Sequence, residues 1–408
     1  MLDEAKQILA KYAERIPPTV IGPEKVNFII DHTDEISPEE KLVLLKYVNY
    51  MLTLMIERDA SDIEIGGHGN DEYVWFRIFG KKERVKDLPR LTVNETSVLI
   101  INLLNLNQCK HLWVSRNLDF SYTFRYEKFN KDVRFRADAY FDLDSLALNM
   151  RSISVSTRPL DSLEFHPNTI KTMSHNYIKF GLSLITGITG SGKSTTLDSI
   201  IDHHNQYDPA HIVIIASPIE YVHESKVAII RHREVGRDVL SFKDGVIQAL
   251  RQDPDIIVIG EMRDPDTIMA ALEVTDTGHK VFSTLHTSSA VESIDRIIAE
   301  VNPVEQDRVR NRLADVLISL VSQKLVPSLD GRRVLAKEVL LVTPSVKAAI
   351  KNNNTSEIYM MINQGGNQGM VTMEQDLIRL YKQRKISREN ALAYANNKTR
   401  ILQLLKGV

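Results

Sequence analysis

Cysteine is almost absent: Cys109 is the single one among 408 residues. No intrachain disulfide can form, and a zinc site built on several cysteines is excluded. The composition fits a reducing, cytoplasmic setting. Charge of one sign is also missing. Fifty-one Lys and Arg face 53 Asp and Glu, for a net charge of −2, which suits neither a basic nucleic-acid binder nor an acidic tail protein. Long apolar runs are lacking too. Even Tyr47 to Ile56 stops at Glu57 and Arg58, short of the roughly 18 residues a membrane helix needs, so any membrane association is expected to be peripheral. At the start, Leu2, Ala5, Ile8, Leu9, Tyr12, Ala13 and Ile16 recur at helical spacing among charges. That is unlike the apolar core of a signal peptide, and no export signal is expected. The length predicts two or three domains, and 43% hydrophobic residues suffice to give each a core.

Ser37-Pro38-Glu39-Glu40 reads as a helix start, with Ser37 as N-cap, Pro38 at the first helical position and Glu40 closing a capping box. The spacing predicts a helix to about Arg58. Thr92-Val93-Asn94-Glu95 repeats the signature before an apolar run through Leu106, and Tyr73 to Phe79 between them is strand-like. From Asp119 to Ile153 the period changes to two, predicting a half-buried antiparallel sheet. Arg134 and Arg136 then share its polar face, and Arg151 lies on the next strand. Beyond Arg158-Pro159-Leu160, apolar strands at Leu182 to Thr186, His211 to Ile215, Ile256 to Ile259 and Lys280 to Thr284 alternate with helices. That is the pattern of a largely parallel α/β core. The tail from Pro303 is expected to be helical, apart from a short strand near Glu338 to Val342.

Gly187-Ile188-Thr189-Gly190-Ser191-Gly192-Lys193-Ser194 fits G-x-x-x-x-G-K-[ST] between an apolar strand and a helix-compatible segment. It predicts a P-loop, in which backbone N–H groups converge on phosphate oxygens at the positive end of a helix. Gly187, Thr189, Gly190, Ser191, Gly192, Lys193, Ser194 and Thr195 are the expected nucleotide-binding residues. Lys193 would reach the β- and γ-phosphates, and Ser194 the Mg²⁺ ion. Glu261 ends the second apolar strand, where it is placed to deprotonate a water attacking the γ-phosphate. Before it stands Gly260, where a typical P-loop ATPase has a metal-binding acid. His286, at the end of a further strand, is the candidate γ-phosphate sensor.

With these residues in order, the chain resembles the type IV pilus retraction ATPases, within the larger family of secretion and pilus ATPases. The resemblance covers nearly everything after residue 50. It rests on Ala60-Ser61-Asp62, Leu118-Asp119-Phe120-Ser121, Arg134-Phe135-Arg136, Arg151, the P-loop, Arg233-Glu234-Val235-Gly236-Arg237-Asp238, Gly260-Glu261-Met262-Arg263-Asp264, Thr277-Gly278-His279 and Thr284-Leu285-His286-Thr287. It implies an α/β chain with a PAS-like N-terminal α+β domain, here 51–158, and a RecA-like P-loop ATPase domain with a helical C-terminal tail, here 159–408. Residues 1–50 form a helical extension that the resemblance does not cover. Also implied are a homo-hexameric ring, ATP and Mg²⁺ as cofactors, and phosphate contacts from Arg134, Arg136 and Arg151, within a subunit or from its neighbour. The implied partners are an inner-membrane pilus platform protein and other pilus or secretion components, met at the cytoplasmic face of the inner membrane; no nucleic acid is expected.

The chain departs from the family where Ala216-Ser217-Pro218-Ile219-Glu220 stands for the usual Glu-Asp-Pro-Ile-Glu. Only Glu220 keeps its carboxylate, and with it an expected part in the metal and water network. Ile188 replaces a common proline, and Ser345-Val346-Lys347-Ala348-Ala349-Ile350 only loosely follows the family's C-terminal Ala-Ile-Arg-Asn-Leu-Ile. The reading is a retraction motor. A type IVB or type II secretion ATPase and a weakly active accessory ring subunit are the alternatives; extension and type II relatives usually carry a four-cysteine motif that this chain cannot form.

Overall fold

The computed structural model describes residues 1–78, 81–129, 131–153 and 157–406. The chain divides into two compact units, Met1–Val155 and Ser156–Val408.

The first unit opens with α1 (Leu2–Ala13), α2 (Glu24–Asp31) and α3 (Pro38–Glu57). Ser37 caps α3 through a capping box with Glu40, which supplies partners for N–H groups that the first helical turn leaves open. Two further helices, α4 (Val93–Asn102) and α5 (Leu106–Ser115), are each started by their own capping box, Thr92 with Glu95 and Asn105 with Gln108. The apolar run expected to be one helix through Leu106 is therefore broken at Asn102, because Asn105 offers its side chain to a new helix start.

Six strands form an antiparallel sheet: β1 (Ala60–Gly66), β2 (Trp75–Ile78), β3 (Lys81–Arg84), β4 (Asn117–Tyr126), β5 (Lys131–Asp142) and β6 (Ser145–Ser152), in the order β3-β2-β1-β6-β5-β4. Phe79, the expected end of β2, lies outside the described residues. Along β5 the buried Val133, Phe135, Ala137 and Ala139 alternate with more exposed neighbours. Leu9, Leu44, Tyr47, Met51 and Leu99 from the helices share one core with Ile63, Phe76 and Phe135 from the sheet, so residues 1–50 are built into this unit. Cys109 is buried there, and burial pushes its thiol up to about 11.

The second unit begins with α6 (Pro167–Met173) and holds a seven-stranded sheet: β7 (Gly181–Thr186), β8 (His211–Ala216), β9 (Ile229–Glu234), β10 (Ile256–Ile259), β11 (Lys280–Leu285), β12 (Leu317–Pro327) and β13 (Arg333–Leu341). Their order is β13-β12-β7-β11-β10-β8-β9. All pairs are parallel except β12 with β13. The helix α7 (Lys193–Tyr207) follows β7 directly. Strands β7, β10 and β11 are buried throughout, as expected of parallel strands covered on both faces.

The hairpin β12–β13 corrects the expectation of a helical tail from Pro303. Leu320, Val321, Ser322 and Gln323 are all buried. A strand covered on both faces shows a continuous run instead of the alternation that would have marked it. Helices do follow from Pro344 to Lys406, and Met373, Leu377, Leu380 and Ile401 pack there with Val326 and Ala336 of the hairpin.

Candidate active site

The parallel strands end together, and the loops leaving β7, β10 and β11 carry the chemistry. After β7, the chain turns through Gly187 at φ 153°, where an added Cβ would sit 2.3 Å from Ser191 Oγ and 2.6 Å from the Gln323 carbonyl oxygen. Only glycine lets the loop close this tightly. Gly190 and Gly192 also have positive φ, and Gly192 starts α7 without any side-chain cap. The first N–H groups of α7 are thus left for an anion at the positive end of the helix dipole. The Ser191 hydroxyl is buried without a hydrogen-bond partner. The Lys193 ammonium donates to the carbonyls of Gly187 at 2.8 Å and Ile188 at 3.2 Å, so it stands in the mouth of the loop. Burial holds its pKa below the ordinary lysine value, and the charges of Glu261 and Glu220 oppose that shift. Ser194 is half-buried, and Thr189 and Thr195 are exposed.

Glu261 and His286 are brought alongside each other by ties between the ends of β10 and β11. Ser283 Oγ donates to the Ile259 carbonyl at 2.8 Å, Thr284 Oγ1 to that of Gly260 at 2.6 Å, and Met262 N to that of Thr284 at 3.1 Å. His286 Nε2 lies 3.7 Å from Glu261 Oε2, and Arg263 Nε 2.6 Å from the same oxygen. Burial, then the nearby Lys193 charge, lower the His286 pKa; Glu261 opposes them. Both effects favour the neutral imidazole. Lys193, Glu220, Glu261 and His286 thus meet at one end of the sheet.

Gly260 has a steric reason. An added Cβ there would lie 3.0 Å from Ala216 Cβ and 3.2 Å from its Cα, so an acid in this position would press on the end of β8.

The arginines lie in the first unit, on one face of its sheet. Arg136 pairs across β5–β6 with Arg151, which pairs across β6–β1 with Asp62. Arg151 grips Asp62 Oδ1 through Nε at 2.8 Å and Nη2 at 2.7 Å. Arg136 is held more loosely, its Nε and Nη2 each 3.4 Å from Asp119 Oδ1. Arg134, two residues before Arg136, points to the same face.

Two supports were not visible in the sequence. Gln323 on β12 donates from Nε2 to the Ser191 carbonyl at 3.0 Å and so braces the P-loop. It falls in the stretch read as helix, which hid it. A cavity of about 820 Å³ also opens beside α7, lined by Thr195, Thr196, Arg158, Arg333, Arg384 and Lys385 among others. Its cations are scattered along the chain, and only the fold gathers them.

A family model described as "Type II/IV secretion system protein" matches residues 38–400. The chain belongs to this family. It is 37% identical over 322 residues to a twitching motility protein of Neisseria gonorrhoeae, covering 79% of this chain and 84% of the relative. The solved structure of the pilus retraction motor PilT with bound ADP is 35% identical, with a TM-score of 0.76 over 86% of this chain and 98% of that one. The Legionella pneumophila ATPase DotB is 27% identical, with a TM-score of 0.72 over 96% of this chain and 98% of that one. The two units have the architecture of this family, a PAS-like N-terminal domain and a RecA-like ATPase domain with a helical C-terminal region. No described helix is long and apolar enough to cross a membrane.

Proposed function

We propose that the chain is an ATP-hydrolysing motor that drives type IV pilus retraction, and hence twitching motility. The observation that carries this reading is the convergence of Lys193, Glu261 and His286 around a P-loop whose helix start has no side-chain cap. Similarity to a twitching motility protein and to a retraction motor supports the role in pilus retraction.

In this reading the N–H groups from Gly190 to Thr195 cradle the phosphates, and Lys193 exchanges its loop carbonyls for β- and γ-phosphate oxygens. Glu261 takes the proton of the attacking water. The neutral His286 donates to the γ-phosphate and senses its loss. Glu220 orders water beside Lys193. Mg²⁺, when bound, neutralises charge on the β- and γ-phosphates. The oxygen donors present suit it: Ser194 would hold the ion directly and Glu220 through water. Among the described residues no cluster of His, Cys, Asp and Glu could hold a metal by itself, which fits an ion carried largely by the nucleotide's phosphates. The basic cavity beside Thr195 would receive the ribose and α-phosphate.

The motor is a homo-hexamer at the cytoplasmic face of the inner membrane, acting on a membrane platform protein. In each subunit, 1–50 adds helices that pack into the core of the PAS-like domain at 51–158, and 159–408 is the ATPase domain. Arg134, Arg136 and Arg151 contribute cations to a nucleotide. A type IVB or type II secretion role is the second reading, favoured by the match to a family described as "Type II/IV secretion system protein".

Deleting the gene in its host separates the two. Retraction predicts cells that keep surface pili yet stop moving on surfaces, restored by the wild-type gene and not by Lys193→Ala. Unchanged motility with lost protein export would overturn the retraction reading in favour of secretion.

A further inference from the structure

Glu220 lies in the connection between β8 and β9, three residues after Ser217, the second of the two positions where Ala216-Ser217 carries no acid. Side-chain bonds nevertheless fix this connection on both sides of Glu220. Ile219 N donates to Glu234 Oε2 at 3.1 Å. His223 N donates to His232 Nε2 at 3.1 Å, and the two imidazoles lie nearly parallel, 7° apart. The His223 side chain is fully buried, and its Nε2 is 3.2 Å from Asp198 Oδ1. Further on, Asn205 of α7 donates to the Glu224 carbonyl at 2.7 Å and accepts from Lys226 N at 2.9 Å.

The tautomers are assigned from these contacts. His232 Nε2 accepts an N–H and therefore carries no proton. His223 Nδ1 is buried with no hydrogen-bond partner, so its proton sits on Nε2 and is donated to Asp198. Asp198 stands four residues after Ser194 on α7, on the same helix face. Glu220 is close enough for its charge to act on both Asp198 and Lys193. A part-buried hydrogen bond, the tie nearest Ser194 and Glu220, therefore adds to the Asn205 bonds in joining the helix that carries Lys193 and Ser194 to the segment that carries Glu220.

We propose that Asp198 and His223 are positioning residues for ATP hydrolysis, whose mutual hydrogen bond fixes Glu220 against the P-loop helix where the preceding Ala216-Ser217 supplies no carboxylate. The inference rests on the reading of the P-loop as an ATP-hydrolysing site. What matters is the acceptor oxygen of Asp198. The amide oxygen of asparagine can accept the same hydrogen bond, and alanine cannot.

The test measures steady-state hydrolysis, equilibrium binding of a fluorescent ADP analogue and thermal melting on the full chain. Asp198→Ala should lower kcat by about 10- to 100-fold, the scale of a small misplacement of a reacting group, with KM and ADP affinity within about twofold of wild type. Asp198→Asn should keep kcat within about threefold. Adding Asp198→Ala to Glu220→Gln should slow the enzyme no further, because the two changes break one unit. If Asp198→Ala does not fold, His223→Phe, which removes the donor at similar volume, takes its place. An alanine variant as fast as wild type overturns the proposal. So does an asparagine variant as slow as alanine, or a loss of kcat matched by equal losses in ADP affinity and melting temperature. A wild-type chain that binds ADP without hydrolysing ATP overturns the underlying reading instead.

Discussion

Arg263 Nε lies 2.6 Å from Glu261 Oε2, the same carboxylate oxygen that His286 Nε2 approaches at 3.7 Å. The group proposed as general base is thus held by an arginine that is itself mostly solvent-exposed, a pair that an incoming phosphate can rearrange at little cost. Glu261→Gln preserves shape and loses the basic oxygen. It should keep ADP affinity near wild type and slow hydrolysis by about 10² to 10⁴, the usual range for losing a general base. Wild-type turnover would place the base elsewhere, with Glu220 first in line.

The bare strand ends at Ala216 and Gly260 allow a gain-of-function test. The Ala216 Cβ lies beside Gly260, which carries no side chain of its own. Ala216→Glu with Ser217→Asp should lower the Mg²⁺ concentration needed for half-maximal hydrolysis. A superimposable Mg²⁺ titration would mean that the groups already present supply what the two added acids would.

Arg136 is held by Asp119 through two 3.4 Å contacts, whereas Arg151 grips Asp62 below 3 Å. The looser pair is the better candidate to leave its partner for a phosphate. If Arg136 serves a neighbouring subunit's nucleotide, its loss should cost about 10³ to 10⁵ in rate. Mixed rings of Lys193→Ala and Arg136→Ala subunits should then recover hydrolysis, since some interfaces pair an intact arginine with an intact P-loop. Native mass spectrometry would establish subunit exchange. Exchanged rings without recovered activity would exclude action between subunits.

At the other end of the parallel sheet, Lys280 is fully buried, with its Nζ within 3.4 Å of the carbonyl oxygens of Thr172, Ser174 and Ile178. Burial pulls its pKa down to about 7 from the ordinary 10.5. Between those values the unfolded chain holds a proton that the folded chain does not, so this residue's contribution makes stability rise with pH across that window. From pH 9 down to pH 7 the wild type should lose melting temperature relative to Lys280→Met, which has no such proton. Parallel pH profiles would contradict the assignment.

The P-loop was legible because its chemistry is local. Glycines, lysine and serine act within one turn, and strand and helix flank them in sequence. Glu261 and His286 were legible for a related reason, each standing just past an apolar strand in a parallel sheet whose strand ends converge. Gln323 was not, since burial on both faces of β12 erased the alternation that marks a strand. The Asp198–His223 pair joins residues on separate elements, and an Asp inside a helix and a His in a loop announce nothing until the fold brings them together.

Hydrolysis of ATP at this P-loop is the claim beneath all the others. Its most direct test is Mg²⁺-dependent phosphate release by the purified chain, compared with Lys193→Ala under the same conditions. The wild type should release phosphate, and the variant, deprived of the point charge on the β- and γ-phosphates, should fall to background. Equal phosphate release by the two proteins would contradict the assignment of the site.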